Sequence, residues 1–119
     1  MADRLGRNPT YSYELIKTEM DDKGIMTVTL NRPEKRNGFI QAWHGELIEI
    51  WEKIHIDDRV RCVIFTGAGK AFCAGGDVGA FAAPKLDPME KTLNWLRDVK
   101  TTVTKIMECD KPIIAKVNG

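Results

Sequence analysis

Metal-binding and disulfide-forming residues are scarce in this chain. It holds two histidines, His44 and His55, and three cysteines, Cys62, Cys73 and Cys109. No pair of cysteines makes a C-x-x-C, and neither histidine has a second histidine or a cysteine one helical turn away. A metal site is therefore not expected, and both histidines read as surface or packing residues. Three cysteines without a pairing pattern point to reduced thiols and a cytoplasmic setting. An excess of charge is lacking too. Eighteen Lys and Arg against 17 Asp and Glu leave a net charge of +1, which argues against a nucleic-acid or membrane surface held by bulk electrostatics. No apolar run approaches the ~20 residues that span a bilayer. The segment Met1–Arg7 has no apolar stretch of the secretory kind. Internal repeats and low-complexity tracts are missing as well.

What is present describes a globular chain of 119 residues, one domain or part of one, with 43% hydrophobic and 29% charged residues. Residues 1–12 are polar and are expected to be a flexible N-terminus preceding a folded unit at 13–119. Tyr13–Met20 and Ile25–Leu30 read as two strands. Gly24 suits a left-handed turn position between them, so an antiparallel hairpin is expected. Pro33 stops the second strand. Phe39, Trp43, Leu47, Ile50, Trp51 and Ile54 share one face of a helix over about 39–56. Val60–Phe65 is the next strand. Strand, helix, strand is the pattern of a parallel crossover.

That third strand runs into Thr66–Gly79, which carries five of the ten glycines. Glycines after a strand's carboxyl end either supply positive φ or let a backbone N–H approach a ligand. A short helix over Val78–Ala83 and a long one from Asp87 are expected next, with Asp87, Pro88 and Glu90 forming a capping box. Met89, Leu93, Leu96, Val99, Val103, Ile106 and Met107 share a face of the long helix, with Trp95 at its edge. Pro112–Val117 is the last strand. The whole reads as an α/β chain of order β-β-α-β-α-β, the part after the glycine loop packing the sheet from its other side.

The loop fails two common phosphate patterns. A Walker A motif needs glycine where Ile64 stands and a hydroxyl residue where Ala71 stands. A dinucleotide fingerprint starting at Gly67 would need glycine at Phe72. Cys73 has no histidine nearby in sequence and reads as a small apolar residue more readily than as a nucleophile. Asp77 can cap a following helix or act as a base. Arg32, Lys35 and Arg36 are either solvated or meet a ligand's phosphates.

Three stretches together resemble the crotonase superfamily, the enoyl-CoA hydratase/isomerase family. Asn31–Gly38 resembles its N-R-P-x-x-x-N-A segment, with Gly38 in place of the usual alanine. Thr66–Val78 resembles its T-G-x-G-x-x-F-[CS]-A-G-x-D-[LV] loop, and Lys111–Gly119 its K-P-[VI]-I-A-x-[VI]-x-G strand. The resemblance spans about residues 13–119 and implies a truncated crotonase-like spiral of ββα units.

It also implies an acyl-CoA thioester as substrate, coenzyme A entering as part of that substrate and no tightly bound cofactor. The backbone N–H of Gly76 would be one of two oxyanion donors that stabilise a thioester enolate. Arg36, Gly38, Ala74, Gly75, Gly76, Asp77 and Val78 would border the coenzyme A site. Hydration is the expected reaction as the commonest in the family, with isomerisation, thioester hydrolysis, C–C cleavage or ring closure as alternatives. A homo-oligomer, a trimer or a dimer of trimers, is implied for the full-length enzyme. In the family the second oxyanion donor and the acid/base residues follow the position of Gly119. The 119 residues are therefore expected to be the N-terminal half of such an enzyme and inactive alone. The competing expectation is a non-catalytic homologue that binds acyl-CoA or a partner.

Overall fold

A computed structural model describes residues 9–76 and 88–119. Four strands form one sheet in the order β1-β2-β3-β4, comprising β1 (Ile16–Met20), β2 (Ile25–Leu30), β3 (Cys62–Gly67) and β4 (Ile113–Ala115). The expected hairpin is present, with β1 and β2 antiparallel and Thr18 opposite Val28. Gly24 takes φ +84° at its turn, where an added Cβ would lie 2.6 Å from the Arg59 carbonyl oxygen. Both crossovers give parallel neighbours, Val28 pairing with Phe65 and Ile64 with Ile114. The expected helix over Val78–Ala83 and the Asp87 cap lie outside the described residues.

Helix α1 (Gln41–Ile56) covers one face of the sheet. Alternation along β2 turns Met26, Val28 and Leu30 toward it, where they meet Trp43, Leu47, Ile50, Trp51 and Ile54 in one core. Each such side chain contributes about 1.5–3 kcal/mol by leaving water. The helix begins two residues later than its apolar period suggests. Phe39 and Ile40 have no capping side chain to turn the backbone, and Ile40 is extended at φ −119° and ψ 159°. Phe39 instead forms an isolated parallel bridge with Gly76.

Residues 1–8 lie outside the described residues. The next four approach the body of the fold. Tyr11 donates to Asp57 at 2.9 Å, Lys53 donates to the Thr10 carbonyl at 2.8 Å, and Arg59 donates to the Pro9 carbonyl at 2.7 Å.

Helix α2 (Pro88–Glu108) corrects one expectation. It packs along α1 and not on the sheet's opposite face. The face it turns to α1 is also not its most apolar one. Contact runs through Asp98, which bonds Gln41, then Thr102 to His44, Lys105 to Glu52 at 3.2 Å, and the partly buried Ile106 and Cys109. Leu93, Leu96, Val103 and Met107 stay 50–80% exposed. The 3.6-residue period located an apolar stripe but could not name its partner, and α1 offers polar groups along the line where the two helices meet. Among the described residues no helix is long and apolar enough to cross a membrane.

Candidate active site

Three segments meet at the carboxyl end of β3. The glycine loop leaves β3 itself. The Arg32–Phe39 segment follows the neighbouring strand β2, and Lys116–Gly119 follows β4 on the other side. Parallel pairing puts all three strand ends at the same edge of the sheet, so the meeting follows from topology.

The Arg32–Phe39 segment folds around a 3-10 turn at Pro33–Lys35. It closes with two consecutive left-handed residues, Arg36 at φ +51° and Asn37 at φ +54°. Asparagine tolerates that conformation and arginine resists it, so the turn is held by its bonds. Arg36 N–H donates to the Pro33 carbonyl at 3.0 Å, and Asn37 N–H to the Arg32 carbonyl at 2.9 Å. The Arg32 guanidinium donates to the Gly38 carbonyl at 2.8 Å and so supports the segment internally. Lys35 and Arg36 extend into solvent.

The glycine loop lies against this segment in an extended line. Ala74 N–H donates to the Arg36 carbonyl at 3.0 Å, and Phe39 N–H donates to the Gly75 carbonyl at 2.7 Å. In a parallel bridge the bonds come from residues flanking the bridged one, so the Gly76 N–H is turned away from Phe39. No acceptor for it is present among the described residues. Gly75 adopts φ +90°, and an added Cβ there would meet nothing within 4 Å. Its glycine is therefore required by backbone angle and not by crowding. Ala74, Gly75 and Gly76 are exposed, and Gly38 is buried beneath them.

Arg36, Gly38, Ala74, Gly75 and Gly76 thus come together in space, whereas Asp77 and Val78 lie outside the described residues. Cys73 sits beside this line with its Sγ 4.0 Å from the Gly75 carbonyl, and neither histidine reaches it. Among the described residues no group of histidine, cysteine and carboxylate side chains is arranged to hold a metal. His55 is exposed, with Nδ1 accepting the Asp110 N–H at 3.2 Å. His44 is buried behind the loop, its ring centroid 4.7 Å from that of Phe39.

Sequence reasoning passed over two asparagines. Asn37 is wholly buried and donates to the carbonyls of Ala68 at 3.0 Å and Ala71 at 2.8 Å. Asn118 donates to the carbonyls of Gly67 at 2.9 Å and Gly69 at 3.0 Å. The available signal was their placement: each follows a strand that flanks the one feeding the glycine loop.

Residues 20–119 match the family model for enoyl-CoA hydratase/isomerase. The human mitochondrial delta(3,5)-delta(2,4)-dienoyl-CoA isomerase is 38% identical over 97% of this chain and 38% of its own length. The 1,2-epoxyphenylacetyl-CoA isomerase of Escherichia coli is 37% identical over 82% of this chain and 38% of its own length. The crystal structure of an enoyl-CoA hydratase from Bacillus anthracis superimposes with a TM-score of 0.79 at 28% identity, covering 89% of this chain and 40% of that one. The chain therefore spans about two-fifths of the length of these relatives. A match over 100 of 119 residues, with the fold shared by solved hydratases, makes this chain a member of the enoyl-CoA hydratase/isomerase family, the crotonase superfamily.

Proposed function

We propose that this chain belongs to an acyl-CoA enzyme in which the Gly76 N–H grips a thioester oxygen and stabilises the enolate formed there. The observation that carries the reading is the Gly76 N–H itself. It sits on an exposed glycine line, faces away from the bridge to Phe39, and has no acceptor among the described residues. A backbone donor fixed before the reaction needs little reorganisation as charge develops, and one such donor is typically worth ~3 kcal/mol of barrier. Arg36, Gly38, Ala74 and Gly75, together with Asp77 and Val78, would border the coenzyme A moiety, Arg36 offering a cation to its phosphates.

The reaction could be hydration or double-bond isomerisation, which share an oxyanion hole and differ in acid and base groups. Hydration matches the solved hydratases, and isomerisation is favoured by the two relatives above that are named as isomerases. Neither class of chemistry has an acid or base assigned within these 119 residues, so the isolated chain is proposed to be inactive. Assembly into a homo-oligomer, a trimer or dimer of trimers, is part of the same reading for the whole enzyme.

The test pairs the protein expressed from its own gene with the isolated chain. Crotonyl-CoA hydration and dienoyl-CoA isomerisation are followed by absorbance, and binding of each thioester by calorimetry. Turnover by the gene product alone supports the proposal. Turnover by the isolated chain sinks its inactivity. Tight thioester binding without turnover by either protein would favour a binding module. Failure of the gene product to bind either thioester would remove the acyl-CoA reading.

A further inference from the structure

Four carbonyl groups in the first part of the glycine loop, those of Gly67, Ala68, Gly69 and Ala71, are consumed by two side-chain amides. Asn37, arriving from the β2 side, takes Ala68 and Ala71, while its Oδ1 accepts the Arg32 N–H at 2.8 Å. Asn118, arriving from the β4 side, takes Gly67 and Gly69, while its Oδ1 lies 3.3 Å from both the Gly67 N–H and the Thr66 hydroxyl. Each amide nitrogen faces two carbonyl oxygens, so turning either amide over would set oxygen against oxygen. The orientations are thus dictated by the network. Directly beyond these pins, Phe72 N–H donates to the Gly119 carbonyl at 3.1 Å.

We propose that Asn37 and Asn118 act as a two-sided clamp that positions the Gly76 N–H for the thioester oxygen. The proposal rests on the acyl-CoA reading above. Its physical basis is entropy. A loop with glycine at 67, 69, 75 and 76 has many backbone conformations to lose, and a donor that wanders gives up its advantage in the transition state. The clamp removes that freedom between Thr66 and Ala71, through four carbonyl oxygens together with the Gly67 N–H and the Thr66 hydroxyl. It leaves the N–H of Gly76 uncommitted and adds no side chain to the exposed line. Both asparagines are positioning residues, since neither bonds Gly76 itself.

The experiment uses the protein expressed from its own gene, with Asn37→Ser and Asn118→Ala as variants. Three quantities are read: affinity for free coenzyme A, kcat against KM for the thioester, and the carbonyl stretch of bound crotonyl-CoA by difference infrared spectroscopy. Each variant should bind coenzyme A within about threefold of wild type and lose about tenfold or more in kcat, the scale expected of a misplaced group. The stretch should move back toward its free-solution value. A merely structural role would lower the folded fraction without changing the stretch of the molecules that bind.

Wild-type carbonyl stretch and kcat in both variants overturn the clamp while leaving the acyl-CoA reading intact. A wild-type protein that binds neither coenzyme A nor crotonyl-CoA overturns that reading and the clamp with it. Should Asn118→Ala not fold, Thr66→Val removes only the hydroxyl facing Asn118 Oδ1 and the Lys116 carbonyl, and it carries the same readouts and the same two outcomes.

Discussion

His44 donates through Nδ1 to the hydroxyl oxygen of Thr102 across 2.9 Å, and this pair fixes which nitrogen of the ring carries the proton. Thr102 has one hydroxyl hydrogen, and it goes to the Asp98 carbonyl 2.8 Å away. The oxygen can then only accept from His44. Nε2 keeps a bare lone pair, buried and without a partner among the described residues. Charging that nitrogen would bury a cation with no acceptor, so burial holds the imidazole below its ordinary value of 6.5, with Asp98 pulling partly in the other direction.

A pH dependence of stability follows from that shift. The unfolded chain takes up the His44 proton at a higher pH than the folded chain does. The contribution is complete above pH 6.5 and is lost as pH falls through the folded value. The urea midpoint should therefore drop between about pH 7.5 and about pH 5.5. In His44→Asn, whose amide can still donate to Thr102 but does not titrate, the drop should be smaller. Equal drops in the two proteins would show that the ring does not carry the effect.

Asp57 ends α1 as a fully buried carboxylate. It accepts from the Tyr11 hydroxyl, from the Arg59 backbone and from two guanidinium nitrogens, all within 2.9–3.0 Å. Burial pushes its pKa up, but these bonds together outweigh burial and hold it below the ordinary 3.8. Its stabilisation is present above that value and is lost as pH falls through the lower folded one. Asp57→Ala should cost about 2–4 kcal/mol in urea unfolding, because it leaves Arg59 and Tyr11 without their acceptor. Asp57→Asn, which keeps an acceptor oxygen, should cost less. A cost for Asp57→Ala within error of zero would mean that water replaces the carboxylate fully.

Two glycines should respond to alanine with opposite signs. Gly45 lies inside α1 with nothing within 4 Å of an added Cβ, so Gly45→Ala should stabilise by about 0.5–1 kcal/mol. At Gly67 an added Cβ would lie 2.5 Å from the carbonyl oxygens of both Ala71 and Phe72, so Gly67→Ala must displace backbone. It should destabilise by about 1–3 kcal/mol and disturb the loop bonded to Asn37 and Asn118. Thermal melts of the two variants decide the matter, and two shifts of the same sign would refute it.

The uncovered side of α2 should make the 119-residue chain self-associate when it is purified alone. Leu96 and Val103 are each 50% exposed and Met107 is 80% exposed, on a helix whose inner line is already spent on α1. Sedimentation velocity should show association that rises with concentration. The double variant Leu96→Lys and Val103→Lys should weaken it about tenfold or more at unchanged helical content. Concentration-independent monomers of the unaltered chain would contradict this.

Local order was legible in the amino acids. Alternation in Ile25–Leu30 marked a strand with one buried face, and the 3.6-residue recurrence of Trp43, Leu47, Ile50, Trp51 and Ile54 marked the face that α1 buries. Gly24 marked the turn. These features depend on neighbours a few residues apart, and short-range periodicity records them. The three motifs likewise pointed to the family because each is a contiguous stretch whose glycines and prolines answer to local backbone geometry.

Other features arose only when distant segments met. Phe39 looked helical by period but was drawn into an extended bridge with Gly76, its N–H donating to the Gly75 carbonyl, which lies beside it only after the crossover closes. The apolar stripe of α2 was visible in the period, yet the line that meets α1 is Asp98, Thr102 and Lys105. Periodicity states that a face is apolar but cannot state what stands opposite. The amides of Asn37 and Asn118 serve one loop from two sides although 81 positions separate them, 118 minus 37. The sequence by itself determined the elements and the family they belong to. The tertiary structure alone decided which backbone groups are spent within the fold and which, like the Gly76 N–H, have no acceptor among the described residues, because a hydrogen bond is settled by distance and angle between atoms and not by their order along the chain.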